Sequence, residues 1–197
     1  HKLLSYSRSA ALIRLQKADG SYTSRDLDML KILFDVHFPG SFEALPCASH
    51  RSSARCSASQ SKLIDELVTK EAVERAFSSF KPYKSPGPDG IFPTYLQAGS
   101  NLLAPRYAFL YRSSLRAGYI PMPWRTSRVV FILKPGKTDY TKPKSFRPIN
   151  LTSFALKGLE RIVDTYIRRD VLVNNPLNEN QHAYQPGKST TTLLCTI

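Results

Sequence analysis

Apolar residues follow three different rhythms along this chain. Leu27, Leu30, Phe34 and Phe38 recur at helical spacing, and Pro39-Gly40 supplies a stop. Thr23, with Asp26 three positions on, resembles a capping box for that helix. A second helical face (Val73, Ala76, Phe77, Phe80) follows Thr69, whose hydroxyl can cap the first turn, with Glu71 and Glu74 near the positive end of the dipole. Residues 93–99 and 102–117 read as two further helices, the second basic through Arg106, Arg112 and Arg116. The second rhythm is a continuous run, VVFIL at 129–133, which predicts a buried strand. Residues 134–146 are polar and basic, broken by Pro135, Gly136 and Pro143, and predict an exposed loop or hairpin tip. Residues 147–151 predict a second strand. Ser153 can then cap a helix whose apolar face is Leu159, Ile162, Val163, Tyr166 and Ile167. Strand, basic loop, strand and helix form the centre of the chain, and a basic tip of this kind suits a phosphate chain.

The third rhythm is none at all. Six of the sixteen residues 46–61 are Ser and almost nothing there is apolar, which predicts a flexible spacer. The remaining segments are minor. Residues 11–15 suggest a short strand, Ala18-Asp19-Gly20 a turn, and Tyr119 to Arg125, with two prolines and Trp124, a connection into the 129–133 strand. Arg168-Arg169 and Asn174-Asn175-Pro176 end the central helix. Gly187 makes a turn, after which Ser189 or Thr190 caps a last helix. The expected fold is helix-rich α+β, divided into an N-terminal helical segment (1–45), the Ser-rich spacer (46–62) and a third region (63–197).

Charge sharpens this picture. The net charge is +13, and it is uneven: residues 1–99 hold 13 Lys/Arg against ten Asp/Glu, residues 100–197 hold 15 against five. A basic half interleaved with Tyr, Phe and Trp points to a polyanion, and to nucleic acid ahead of a membrane surface, because the cations cluster in loops and no basic amphipathic helix is evident. No apolar run approaches the roughly 18 residues of a membrane span. Three cysteines, Cys47, Cys56 and Cys195, are odd in number and unevenly spaced, which argues against a disulfide framework and fits a reducing, intracellular compartment. Cys47, His50 and Cys56 lack the fourth ligand and paired spacing of a zinc site. The chain has no initiator Met and stops within an apparent helix, so it is expected to be part of something longer.

Phosphate-loop chemistry fails on spacing. The GKS at Gly187 needs a glycine at 182, which is His182, and the GKT at Gly136 needs one at 131, which is Phe131. No Ser/His/Asp signature, HExxH or GxGxxG occurs.

Three segments in order carry a resemblance: KSPGPDGI at 84–91, VVFILKPGK…SFRPINLTSFALKGLERIV from 129 to 163, and NQHAYQPGKSTTTLL at 180–194. Together they resemble the N-terminal part of the reverse transcriptase of LINE-type (non-long-terminal-repeat) retrotransposons, in the Jockey-like style, most firmly from Thr69 onward. The resemblance implies the fingers and the beginning of the palm of a right-hand polymerase. It implies that Arg147 and Lys134, with Lys137 as a near competitor, contact the triphosphate of an incoming deoxynucleotide. It places Lys84, Ser85, Pro86, Gly87, Asp89 and Gly90 near the template, and Gln181, Tyr184 and Gly187 in the segment leading into the palm. Ala183-Tyr184 stands where many relatives carry Phe or Gly-Phe. Arg147 could instead pair with an acidic neighbour. RNA template, DNA primer and deoxynucleoside triphosphates are the implied partners, without a membrane, and the nucleus is the implied site of action. Mg²⁺ is implied for the full-length enzyme. Its ligands in the family are an Asp in the next palm strand and an Asp pair in a Tyr-x-Asp-Asp hairpin, and neither motif occurs here. This stretch by itself is therefore expected to bind no metal and to be inactive. A basic nucleic-acid-binding module without catalysis is the alternative.

Overall fold

The computed structural model describes residues 14–40 and 56–194. In chain order the elements are α1 (Asp26–His37), α2 (Ala58–Leu67), α3 (Lys70–Ser78), α4 (Pro93–Ala98), α5 (Ser100–Ala117), α6 (Met122–Arg125), β1 (Arg128–Leu133), β2 (Phe146–Leu151), α7 (Phe154–Tyr166), α8 (Leu172–Asn174) and α9 (Thr190–Leu194). A π turn, Ile167–Val171, joins α7 to α8. The fold is helix-rich with one two-stranded sheet, as expected. Of the described residues, 14–40 with 126–152 form one compact unit and 56–125 with 153–194 form another.

In the hairpin unit β1 and β2 pair antiparallel, with Val130 opposite Ile149, Phe131 opposite Pro148 and Ile132 opposite Arg147. Two strands alone do not bury enough to be stable in water. Helix α1 supplies the missing cover. Leu33 packs with Leu15 and Phe146, and Met29, Ile32 and Phe131 close around them. The Phe34 and Phe131 rings meet edge-on, 5.6 Å apart. Only one face is covered. Val130, Ile132 and Ile149 on the other face remain exposed, so the strand expected to be buried is half-buried instead. The apolar run satisfies a single helix with alternate residues. α1 packs within the same compact unit as the hairpin.

Two details of α1 differ from the sequence reading. Leu27 and Leu30 are exposed, and Leu33 is the buried anchor. Thr23 does not cap the helix, which starts after Arg25 without a side-chain cap. Thr23 is buried, and its hydroxyl accepts the Leu15 amide at 3.0 Å while its own amide donates to the Leu15 carbonyl. That exchange closes the turn at Ala18-Asp19-Gly20, where Gly20 takes a positive φ. Residues 11–13 of the suggested first strand lie outside the described residues.

The helical unit is built on α3, α5 and α7. Thr69 caps α3 as predicted, accepting the Ala72 amide, and Val73, Ala76 and Phe77 are buried. Helix α2 occupies residues that read as spacer. Ser57 and Gln60 form a reciprocal capping box, and Ile64 and Leu67 pack on the core. The low apolar content of 56–61 concealed a helix start whose buried residues lie further on. Tyr111 of α5 sits fully buried at the centre, its hydroxyl donating to the Ala155 carbonyl at 2.5 Å. Burial also drives the Tyr111 phenol pKa upward. Rings of Phe77, Tyr107, Tyr111 and Trp124 follow one another at 5.3–5.7 Å. Ser153 caps α7, and Gly158 lets it close: a Cβ there would lie 2.5 Å from the Tyr111 hydroxyl oxygen and 3.1 Å from Phe77 Cε1. Of the two end signals read after the central helix, Arg168-Arg169 is passed through and Asn174-Asn175-Pro176 is the one that acts. The helix rewinds through the π turn and stops at Asn174.

Gly158→Ala is expected to cost about 1–3 kcal/mol of unfolding free energy in a denaturant titration, as overpacking does. Tyr111→Phe should cost about 0.5–1.5 kcal/mol for its hydrogen bond. The double variant should lose less than the two together, because the clashing hydroxyl has gone.

Candidate nucleotide and nucleic-acid interface

The loop between β1 and β2 is folded, not an open tip. Lys134 follows β1 directly, and its amide donates to the Ser145 carbonyl. Its ammonium turns inward and donates to the Lys144 carbonyl at 2.8 Å, while Tyr140 OH donates to the Lys134 carbonyl at 3.0 Å. Asp139 accepts both the amide and the hydroxyl of Thr141, and Lys142 lies 3.4 Å from its other oxygen. Those hydrogen bonds, with the Lys142 charge behind them, hold the Asp139 carboxyl below the usual carboxylate range. The Ser145 hydroxyl donates to the Asp139 carbonyl, closing a turn at Pro143–Ser145. The loop is tied down from outside by His37, whose ring contacts the Pro143 carbonyl at 3.1 Å, and by the Gln16 amide on the Thr141 carbonyl.

This frame decides which cations are available. Arg147 stands on the open face of β2, opposite Ile132, and is exposed. No acidic side chain among the described residues pairs with it, so the competing reading of Arg147 as half of a surface ion pair finds no partner there. Lys137 projects from the tip beside Gly136, whose positive φ makes the turn, and forms no ion pair among the described residues. Lys134 is half-buried, with one of its donors spent on the loop. The three cations of the proposed triphosphate contact therefore share one end of one hairpin.

The remaining predicted residues belong to the helical unit. Lys84 and Ser85 are exposed, Pro86 is half-buried and Gly87 buried. The Gly90 amide donates to the Gly87 carbonyl, and the Asp89 carboxylate accepts the Ile91 amide, so the turn read at Asp89-Gly90 is present. Gln97 anchors the end of α3, donating to the Phe77 and Phe80 carbonyls. Sequence reasoning missed Lys157. It lies over the Phe154 ring at 4.3 Å, where burial lowers its pKa against the opposing pull of Glu160 and Asp89. Gln181 is exposed and donates to the Ala183 carbonyl. Tyr184 is 91% exposed at a positive φ, unusual for a residue with a Cβ, and its carbonyl accepts from Arg168. Gly187 also takes a positive φ, as its turn requires.

The basic helix 102–117 proves less available than its composition implied. Arg116 grips both oxygens of Asp65 at 2.6 Å, and Arg112 approaches the same carboxylate at 3.7 Å. Among the described residues no group of three or more His, Cys, Asp or Glu side chains could hold a metal ion. No helix among them is long and apolar enough to cross a membrane. Cys47, His50 and Cys195 lie outside the described residues.

Comparison with known proteins gives this geometry a family. The chain is 31% identical over 175 residues to the Retrovirus-related Pol polyprotein from type-1 retrotransposable element R1 of Bradysia coprophila, covering 88% of the chain and 17% of that protein. It is 34% identical over 141 residues to the RNA-directed DNA polymerase from mobile element jockey of Drosophila funebris (66% and 15%). It is 30% identical over 120 residues to the Probable RNA-directed DNA polymerase from transposon BS of Drosophila melanogaster (61% and 13%). No family model matches the chain. The chain is thus related to the RNA-directed DNA polymerases of mobile elements. Within that class its relatives are of the jockey-like, non-LTR (LINE-type) kind. It spans less than a fifth of each of these three relatives. The 175-residue match is longer than residues 63–197, so the kinship reaches into the N-terminal part.

The Asp139 frame makes the loop sensitive to acid. Because the folded carboxyl has the lower pKa, its contribution is present above the ordinary Asp range and is lost as pH falls through the folded value. Amide exchange at Thr141 and Ser145 should quicken on acidification through that window. Asp139→Asn should show the faster exchange already at neutral pH and little further change.

Proposed function

We propose that this chain is the fingers and the start of the palm of an RNA-directed DNA polymerase from a non-LTR retrotransposon, and that it holds template–primer and the incoming deoxynucleoside triphosphate. The observation that carries the reading is Arg147, exposed on a braced hairpin beside Lys137 and Lys134 with no carboxylate partner among the described residues. A guanidinium can donate two parallel hydrogen bonds to phosphate oxygens, and an ammonium adds a mobile point charge. Charge developing on the leaving pyrophosphate would be stabilised by both. The KSPGPDGI loop would lie along the template, and the segment holding Gln181, Tyr184 and Gly187 would lead toward the palm sheet.

The joining of a primer 3′-hydroxyl to a nucleotide would draw on divalent metal, Mg²⁺ in the full-length enzyme, held by acidic residues. The part proposed for the described residues is binding and orientation. Copying at a chromosomal target would put the working protein in the nucleus. The competing reading, a basic nucleic-acid-binding module, shares the charge but gives Arg147 no special part.

Binding of labelled template–primer should weaken with salt and tighten when the complementary deoxynucleotide is added. Arg147→Ala should abolish roughly ten- to a hundredfold of that nucleotide effect, the worth of a charged hydrogen bond, and Arg147→Lys should restore part of it. Binding indifferent to nucleotide and to Arg147 would leave the module reading.

A further inference from the structure

Helices α3 and α7 of the helical unit leave a half-open groove between them, with a volume of about 340 Å³. Three arginines line it: Arg75 from α3, Arg161 from α7 and Arg169 from the π turn. None of them forms an ion pair among the described residues. The same unit neutralises Arg112 and Arg116 on Asp65 and Arg168 on Asp164, while Arg106 and Arg125 likewise form no ion pair among the described residues. Glu66 and Asp170 also reach the groove, yet Glu66 pairs with Lys62 at 3.9 Å and Asp170 pairs with none of the three arginines. The groove hydroxyls of Ser79 and Thr165 donate to carbonyls of their own helices, so the guanidiniums, with five N–H donors each, are its principal outward donors. The floor is Ala72, Ala76 and Ile162, small enough on the α3 side to leave depth.

Three arginines against Glu66 and Asp170, with no ion pair between them, leave the lining net positive, and an anion relieves the repulsion among the guanidiniums. The cations also continue along α7. Lys157, four residues before Arg161, borders an adjoining depression that Arg161 shares with Glu160 and with Asp164, whose carboxylate is paired with Arg168. Lys157 and Arg161 lie about one turn apart on α7, and Arg169 follows eight residues further on, in the π turn. A line of cations suits an extended polyanion better than a single small one. The π turn sits at the end of this line, and such distortions of a helix concentrate at functional sites.

We propose that the α3–α7 groove is a binding track for a single-stranded phosphodiester backbone, gripped by Arg75, Arg161 and Arg169. It rests on the nucleic-acid reading given above but on residues of the other unit, with no part for the hairpin.

The test is fluorescence anisotropy of labelled oligouridylate, a single strand without pairing or sequence, on the full chain across a salt series. The variants are Arg75→Gln/Arg161→Gln/Arg169→Gln and a control that removes as many charges elsewhere in the unit, Arg106→Gln/Arg116→Gln/Arg125→Gln. Thermal melting checks that each is folded, and Arg75→Lys/Arg161→Lys/Arg169→Lys supplies a charge-preserving set. Loss of three phosphate contacts should lower the slope of log affinity against log salt by about two, at roughly 0.7 for each contact on a single strand. The control should lose less than one, and the lysine set should keep the slope. Equal losses in the groove variant and the control would overturn the proposal. So would a groove that releases polyglutamate, but not RNA, when its arginines are removed, since the ligand would then be an acidic peptide. The two readings fail separately. A nucleotide effect lost in Arg147→Ala beside an unchanged groove variant sinks only the groove. A changed groove variant without any nucleotide effect sinks only the fingers.

Discussion

Gly158 is the point on which the helical unit turns. Helix α7 reaches Tyr111 and Phe77 at a separation that no Cβ would tolerate, and the Tyr111 hydroxyl reaches across to the Ala155 carbonyl in the same approach. That close seating puts Leu159 and Ile162 into the core with Phe77, Ala104 and Ala108. With one face of α7 thus committed, Lys157 and Arg161 are left on its outer side, and the groove against α3 follows. A buried phenol needs a partner for its proton, and a backbone carbonyl one turn from a glycine supplies one without adding bulk. Packing, polar satisfaction and the placing of the basic groups therefore answer to a single contact.

The hairpin unit meets a different constraint. A two-stranded sheet has two faces and little area, and α1 covers one of them through Leu33, Phe131 and Phe146. The other face keeps Val130, Ile132 and Ile149 exposed around Arg147. What holds the loop is polar: the Asp139 cap on Thr141, the Ser145 bond to the Asp139 carbonyl, Lys134 on Lys144 and His37 on Pro143. A loop fixed by its own hydrogen bonds offers its remaining cations at low entropic cost to a ligand, which is what a triphosphate contact requires.

Much of this could be read in the residues. The strand–loop–strand–helix order, the caps at Thr69 and Ser153, and the turns at Gly20, Asp89-Gly90 and Gly187 are local chemistry, and local chemistry is visible in a string of letters. The family was legible for another reason: three motifs in order are far rarer than any one of them. What escaped was long-range. Thr23 looked like a cap because its own neighbourhood fits one, whereas Leu15, eight residues back, claims its hydroxyl. Serines at 57–61 looked like a spacer because the apolar residues they lead to, Ile64 and Leu67, come later. Arg112 and Arg116 looked available because Asp65 is some fifty residues away. No reading of the residues joined the groove arginines: Arg75 lies in no motif, Arg161 is one letter of the 129–163 segment and Arg169 was read as an end signal, and only the closing of α7 on α3 brings Arg75 beside Arg161.

The central claim is that the basic end of the β1–β2 hairpin receives the triphosphate of a nucleotide. The most direct measurement is to label lysines of the full chain with a deoxynucleoside triphosphate that carries an acyl group on its terminal phosphate, in the presence of template–primer; a lysine amine beside the phosphates takes the acyl group as an amide, the nucleotide leaves with its phosphate, and the acylated lysines are mapped by mass spectrometry. Acylation is expected at Lys137 and Lys134 and should disappear when unmodified complementary deoxynucleotide is added. Acylation spread over Lys62, Lys81 and Lys188, indifferent to that competitor, would contradict the claim.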